Sequence, residues 1–255
     1  MLRAATTRAV RALSAPAQKK KLLGPKKNAE QVRELLRTRL ALTDAELDRM
    51  VRRRPLGALT TIKPKLDWLQ RRLDLDQAQL ARLVRREPTV LTNSVERNNA
   101  PTLDWLQTRL ELDTAQLGRM VVKLPALVGK RPDSMEENCD WLRRRLGLDA
   151  AETRRLVAGF PPLLYLSVDD NMAPKLDYLI RATGLSRSEL RDHVLRIPAI
   201  PSYSLEKRYR PRVEACRAAG VDPAYVLTSA PSTDEKFDLR LEQKKDAVVS
   251  TQCDK

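Results

Sequence analysis

The sequence predicts an all-α protein built from about five to six tandem helical repeats. Three observations carry that prediction. First, a capping-box pair recurs five times: Thr43/Glu46, Asp76/Gln79, Asp113/Gln116, Asp149/Glu152 and Ser186/Glu189, at spacings of 33, 37, 36 and 37 residues. In such a pair the first side chain accepts from the amide three residues on, and the acid or amide reaches back. Second, the residues around each pair align in columns. A Leu stands directly before every cap (Leu42, Leu75, Leu112, Leu148, Leu185). A Val stands eight residues after it (Val51, Val84, Val121, Val157, Val194) and a Pro twelve after it (Pro55, Pro88, Pro125, Pro161, Pro198). Third, Gly is scarce, 8 in 255 residues, and strand-like alternation is nearly absent. Cap, apolar stripe and breaker recurring together at this period specify a helical solenoid, one elongated domain in which each repeat touches its neighbours.

Residues 1–17, MLRAATTRAVRALSAPA, hold Arg, Ser, Thr and Ala and no acid. That is the composition of an organelle transit peptide, and its Arg usage favours a mitochondrion over a chloroplast. Residues 18–30 read as a basic linker, and the repeats occupy 31–231. Each repeat holds two main helices. The first precedes the cap and carries Leu-x-aromatic-Leu or a close variant, at Leu66–Leu69, Leu103–Leu106, Cys139–Leu142 and Leu176–Leu179. Its apolar positions fall at i, i+3 and i+7. The second follows the cap and ends at the Pro, which cannot take the i−4 bond. A short third turn follows each Pro. The first linkage is three to four residues shorter than the others, so the connection after Pro55 is expected to be tighter. A partial sixth copy begins at Val221, with Asp222 as cap and Pro223 at the first helical position. From 232 to 255 the periodicity fails; a short helix around Phe237–Leu241 and then a disordered tail are expected.

The formal net charge is +15. Eight cations precede the first acid, leaving an excess of seven on the rest, which suits a polyanionic partner. No stretch approaches the length of an apolar membrane span. Cys139, Cys216 and Cys253 have neither zinc nor disulfide spacing; the first two read as small core residues. The one histidine, His193, falls in the column of Met50, Leu83, Met120 and Leu156 and reads as a helix-face residue. No catalytic set, phosphate loop or metal-ligand set is visible, so neither enzyme activity nor a cofactor is expected. Asp67, Asp104, Asp140 and Asp177 recur one per repeat and read as polar links between repeats or helix-start charges. Trp68, Trp105, Trp141 and Tyr178 form a column that reads as core in preference to a base-stacking platform.

The cations carry the binding prediction. Two residues before each Pro stand Arg53, Arg86, Lys123, Gly159 and Arg196; four before each cap stand Arg39, Arg72, Arg109, Arg145 and Ala182. A column of cations can follow regularly spaced phosphates. The pre-Pro column is preferred, because helix ends and the loops beyond them point into one face of a repeat array. Lys207, Arg208, Arg210 and Arg212 form the densest cluster, and Lys63, Lys65, Arg97, Lys130 and Arg131 sit in post-Pro connections. Binding through these groups would be salt-sensitive and mostly indifferent to sequence.

The units LDWLQTRLELDTAQLGRMVVKLPALV at 103–128 and LDYLIRATGLSRSELRDHVLRIPAI at 176–200 resemble repeats of the mitochondrial transcription termination factor (mTERF) family. SYSLEKRYRPRVE at Ser202–Glu214 is particularly similar to the family's C-terminal repeat. Pro201 departs from the pattern, where an apolar residue is usual. The resemblance spans roughly 31–237. It implies a curved, right-handed solenoid whose basic concave groove holds double-stranded DNA or structured RNA. It implies a regulator of organelle gene expression, acting in transcription termination or initiation, RNA splicing, rRNA maturation or ribosome assembly. A monomer, partnered by the organellar transcription machinery or ribosome, is expected. The alternative is a structural scaffold on the organellar ribosome, its groove holding a partner protein.

Overall fold

The computed structural model describes residues 25–53 and 56–253. The expected transit peptide, most of the basic linker, Pro55 and the side chain of Arg53 lie outside the described residues. Among the described residues there is no strand. They form two compact units, one ending at Pro132 and one beginning at Asp133.

The first unit runs α1 (Pro25–Leu40), α2 (Asp44–Arg53), α3 (Leu59–Leu73), α4 (Gln77–Arg86), a one-turn α5 (Thr89–Thr92), α6 (Ala100–Leu110), α7 (Thr114–Lys123) and a 3-10 turn at Pro125–Gly129. The second runs from α8 (Pro132–Leu146) through α9 (Ala150–Gly159), a 3-10 turn at Pro161–Leu164, α10 (Ala173–Thr183), α11 (Arg187–Arg196), a 3-10 turn at Ile200–Ser202, α12 (Arg210–Ala218) and α13 (Tyr225–Thr228) to α14 (Asp234–Cys253). Two helices followed by a short third turn are therefore observed in the repeats capped at Asp76, Asp113, Asp149 and Ser186.

All five capping boxes form, with both reciprocal bonds present at each. The Leu before each cap does a second job. Two residues before each cap the backbone is left-handed: Ala41, Asp74 and Glu111 at φ 49, 49 and 53°, and Gly147, Gly184 and Gly220 at 68, 70 and 67°. The amides of Leu75, Leu112 and Leu148 then reach back to the carbonyls of Gln70, Gln107 and Arg143 at 3.0 Å each. This is a Schellman closure, and its accompanying hydrophobic contact accounts for the invariant Leu. One side chain thus ends the first helix and leads into the second.

The apolar stripes face inward as the spacing requires. Leu66, Leu69, Leu103, Leu106, Leu176 and Leu179 on first helices are buried, as are Leu83, Val84, Leu117, Val121, Leu190 and Val194 on second helices. Each contributes on the order of 1.5–3 kcal/mol from apolar burial. Cys139 and Cys216 are buried, and Trp68 is 4% exposed, while Trp105, Trp141 and Tyr178 are half-buried.

Three features depart from the sequence reading or add to it. The chain enters α3 at Leu59 directly from a short coil, so no separate third turn forms at 56–58. The expected short helix at Phe237–Leu241 extends over Asp234–Cys253; Phe237 and Leu241 are buried and Asp234 and Glu235 favour its N-terminus. π-Turns at Val95–Asn99, Val168–Met172 and Leu205–Tyr209 lead into α6, α10 and α12. Pro101, Pro174 and Pro211 near the start of those helices lack an N–H and crowd the carbonyl four residues back. The preceding turn widens, with Asn99 and Tyr209 donating to Ser94 and Ser204 five residues earlier. At Pro201 the third turn stays 3-10, shortened to three residues.

Gly118 on α7 is packed so closely that an added Cβ would lie 2.3 Å from the Leu73 carbonyl at the end of α3, whereas at Gly159 on α9 nothing lies within 4 Å. Gly118→Ala should therefore cost about 1–3 kcal/mol, while Gly159→Ala should be neutral or add up to about 0.5 kcal/mol. Urea unfolding of the two variants checks this; equal effects would contradict the close approach.

Candidate nucleic-acid interface

The site residues proposed from sequence separate into side chains spent on the fold and side chains facing solvent. The first group is defined by a column one residue ahead of the Leu-x-aromatic-Leu: Lys65, Thr102, Asn138, Lys175 and Arg212. Each donates to carbonyls in the turn that follows the second helix of its own repeat. Lys65 Nζ reaches the carbonyls of Leu91 and Asn93 at 2.9 and 2.7 Å. Thr102 Oγ1 reaches Lys130 at 2.6 Å. Asn138 Nδ2 reaches Leu163 and Leu166 at 2.9 Å each. Lys175 Nζ reaches Pro201 and Ser202 at 3.3 Å each. Arg212 reaches Ser229 and Ser232 at 2.8 Å each. Turn carbonyls have no helical partner and must be satisfied from outside the turn.

Lys65 and Arg212 are therefore corrected from candidate phosphate ligands to internal donors. Arg212 is only 3% exposed, pairs with Asp234 at 2.7 Å and lies 4.6 Å over the Phe237 ring. Burial pushes the ammonium groups of Lys65 and Lys175 below the ordinary lysine value. Arg208 is likewise engaged, donating to the carbonyls of Ala230 and Ser232 and lying over Tyr203. Arg210, though exposed, pairs with Glu206 at 2.9 Å and covers Tyr178. Lys130 and Arg131 each already take part in an interaction of the fold.

The four-before-cap column is also spent. Arg39 bonds Asp67 at 2.5 Å and Gln70 at 2.8 Å; Arg72 bonds Asp104 and Gln107 at 2.8 Å each; Arg145 bonds Asp177. The recurrent Asp residues at 67, 104 and 177 are thus polar links between repeats. Being partly exposed, each such pair contributes about 1 kcal/mol or less.

Among the described residues, the candidate cations left exposed are Arg86, Lys123 and Arg196 of the pre-Pro column, with Lys63 on α3 and Arg97 and Lys207 in the turns before α6 and α12. Arg86 Nη1 donates to the Lys123 carbonyl at 3.1 Å, which sets the C-terminal ends of α4 and α7 side by side. A second exposed column was missed in the sequence: Arg49, Arg82, Arg119 and Arg155, six residues after each cap. It lies four residues before the pre-Pro column, hence on the same helix face. One turn further back stand exposed Ala45, Ala78, Ala115 and Ala151. Helical side chains lean toward the N-terminus, so these small residues leave the guanidinium groups room; Arg49 Nε reaches back to the Ala45 carbonyl at 3.3 Å. The signal was present in the same alignment that revealed the Val and Pro columns.

His193 is half-buried on α11, and its Nδ1 is buried without a partner. Burial, then the charge of Arg196, lowers its pKa from the ordinary 6.5, against weaker opposition from Asp192 and Glu189. Among the described residues no group of three or more His, Cys, Asp or Glu is placed to hold a metal ion, and no helix is long and apolar enough to cross a membrane. The mTERF family model matches residues 58–238, more than half of the chain. No curated protein matches the sequence.

Two predictions follow from these contacts. Lys175→Met leaves the Pro201 and Ser202 carbonyls unpaired and should cost about 1–3 kcal/mol in urea unfolding; no loss would mean the donor column is dispensable. His193 is harder to protonate folded than unfolded, so stability is full above about pH 6.5 and declines as pH falls toward the lowered folded pKa. His193→Leu should flatten that decline, read from unfolding midpoints at several pH values below about 7.

Proposed function

The chain belongs to the mTERF family, and we propose that it is a nucleic-acid-binding regulator of organelle gene expression, acting in the mitochondrion. It holds double-stranded DNA or structured RNA through exposed cations that recur at equivalent positions of several repeats. The observation that carries this reading is the exposure of Arg86, Lys123 and Arg196 at equivalent repeat positions, in a chain of formal net charge +15. The transit-like composition of residues 1–17 supports the compartment.

The chemistry asked of these residues is electrostatic. Each cation that meets a phosphate releases condensed counterions, and the sum drives association. The excess positive charge also speeds encounter with a polyanion. Arg86, Lys123, Arg196, Lys63, Arg97 and Lys207 are the phosphate contacts in this reading, and no residue is given a catalytic part. Regulation then follows from occupancy: a protein seated on DNA or RNA blocks or organises the machinery that uses it, in transcription or in RNA and ribosome maturation.

The test is binding of a DNA duplex and of a structured RNA at two salt concentrations. The expected result is a Kd of about micromolar or tighter at low salt for at least one of them, weakening by about tenfold or more between 50 and 200 mM. Absence of binding to both at low salt would refute the reading.

A further inference from the structure

We propose that the nucleic-acid backbone is gripped by the second helices of the first unit, chiefly α4 and α7, through Arg82, Arg86, Arg119 and Lys123, and that the second unit carries no equivalent track. The proposal rests on the nucleic-acid reading above and adds to it where the grip lies and what it senses.

Within each helix the two cations are four residues apart, so they stand one above the other on one face, with Cβ atoms about 5–6 Å apart. Across the helices, the bond from Arg86 to the Lys123 carbonyl fixes α4 and α7 as neighbours, and packed helices lie about 8–10 Å apart. The four side chains thus form a compact cationic patch, all four exposed.

Among the described residues none of the four cations of the patch is paired with a carboxylate. Neither α4, QAQLARLVRR, nor α7, TAQLGRMVVK, contains a single carboxylate. The acids that cap them, Asp76 and Asp113, lie at the opposite end and accept the backbone amides of Gln79 and Gln116 at 2.7 Å each. Glu87, just beyond α4, is bonded to Thr89. On the neighbouring α2, Glu46 is already paired with Arg85 at 3.1 Å.

The second unit breaks the pattern at both of its equivalent helices. On α9 the pair is Arg155 and Gly159; on α11 it is Asp192 and Arg196. Half the cations are gone, and an exposed carboxylate has entered the face. Finally, the face of α4 and α7 offers Ala, Arg and Lys and no aromatic ring on which a base could stack, and regularly placed cations suit the repeating phosphates. The group recognised is the phosphodiester backbone itself.

The experiment titrates the full-length protein with a DNA duplex and with an RNA hairpin whose stem has the same sequence, each across a salt series. The variant Arg82→Gln/Arg119→Gln removes two side chains that have no hydrogen-bond partner among the described residues; adding Arg86→Gln and Lys123→Gln removes the whole patch. The matched control is Arg155→Gln/Arg187→Gln, which removes one exposed cation from each of α9 and α11. Circular dichroism confirms that each variant is folded. For whichever nucleic acid the wild type binds more tightly, each removed cation of the patch should lower the slope of log K against log salt by about one. Affinity should fall about tenfold or more for the fourfold variant, equally on a scrambled sequence. Arg82→Lys/Arg119→Lys should keep the slope, and the control should change affinity less than about twofold. An unchanged slope in the fourfold variant, a loss confined to one sequence, or a control as damaging as the patch variant would overturn the proposal while leaving the nucleic-acid reading intact. Failure of the wild type to bind either probe would remove both.

Discussion

The fold depends on one recurring need, the satisfaction of carbonyl groups in the turn that follows each second helix. The proline that ends the helix makes that turn unavoidable, and the turn leaves acceptors that no regular ladder reaches. In each case a donor from the same repeat's first helix supplies the bond: Lys65, Thr102, Asn138, Lys175 or Arg212. The apolar columns on either side are interchangeable surfaces that would tolerate sliding. A directional bond to a particular turn does not, so this contact holds the first helix of a repeat in register with the turn that closes it.

This also explains which parts of the molecule were legible in the sequence. The capping boxes, the Leu before them, and the closing Pro are each enforced by a single residue type, so five copies align at a glance. The donor column is enforced only by the ability to donate, and Lys, Thr, Asn and Arg all meet that need. It therefore has no visible signature. Its cationic members look identical in sequence to phosphate ligands: Lys63 and Lys65 stand two residues apart, yet the former is exposed and the latter is locked to two carbonyls. Two residues along a helix is more than half a turn, enough to pass from solvent to the interior. Arg210 and Arg212 repeat the contrast. The π-turns were hidden for a related reason: Pro101, Pro174 and Pro211 were plain, but a proline near a helix start normally needs no accommodation.

The arginine inventory follows the same logic. Arginines that face the next repeat are paired, as Arg39, Arg72 and Arg145 are with Asp67, Asp104 and Asp177. Among the described residues, the exposed Arg82 and Arg119 on the second helices have no such partners. A large share of the cations is thus engaged internally, and those a ligand would meet are fewer than the 48 Lys and Arg of the sequence.

The left-handed residue at the end of each first helix is a glycine in all three places in the second unit and a residue with a Cβ, Ala41, Asp74 or Glu111, in all three places in the first. A side chain there costs on the order of 1 kcal/mol each. The half of the molecule bearing the unneutralised arginines is thereby held more loosely at its joints than the other half. Amide exchange would begin there, and a polyanion lying across α4 and α7 would slow it, since a ligand that favours the closed state stabilises that state by mass action.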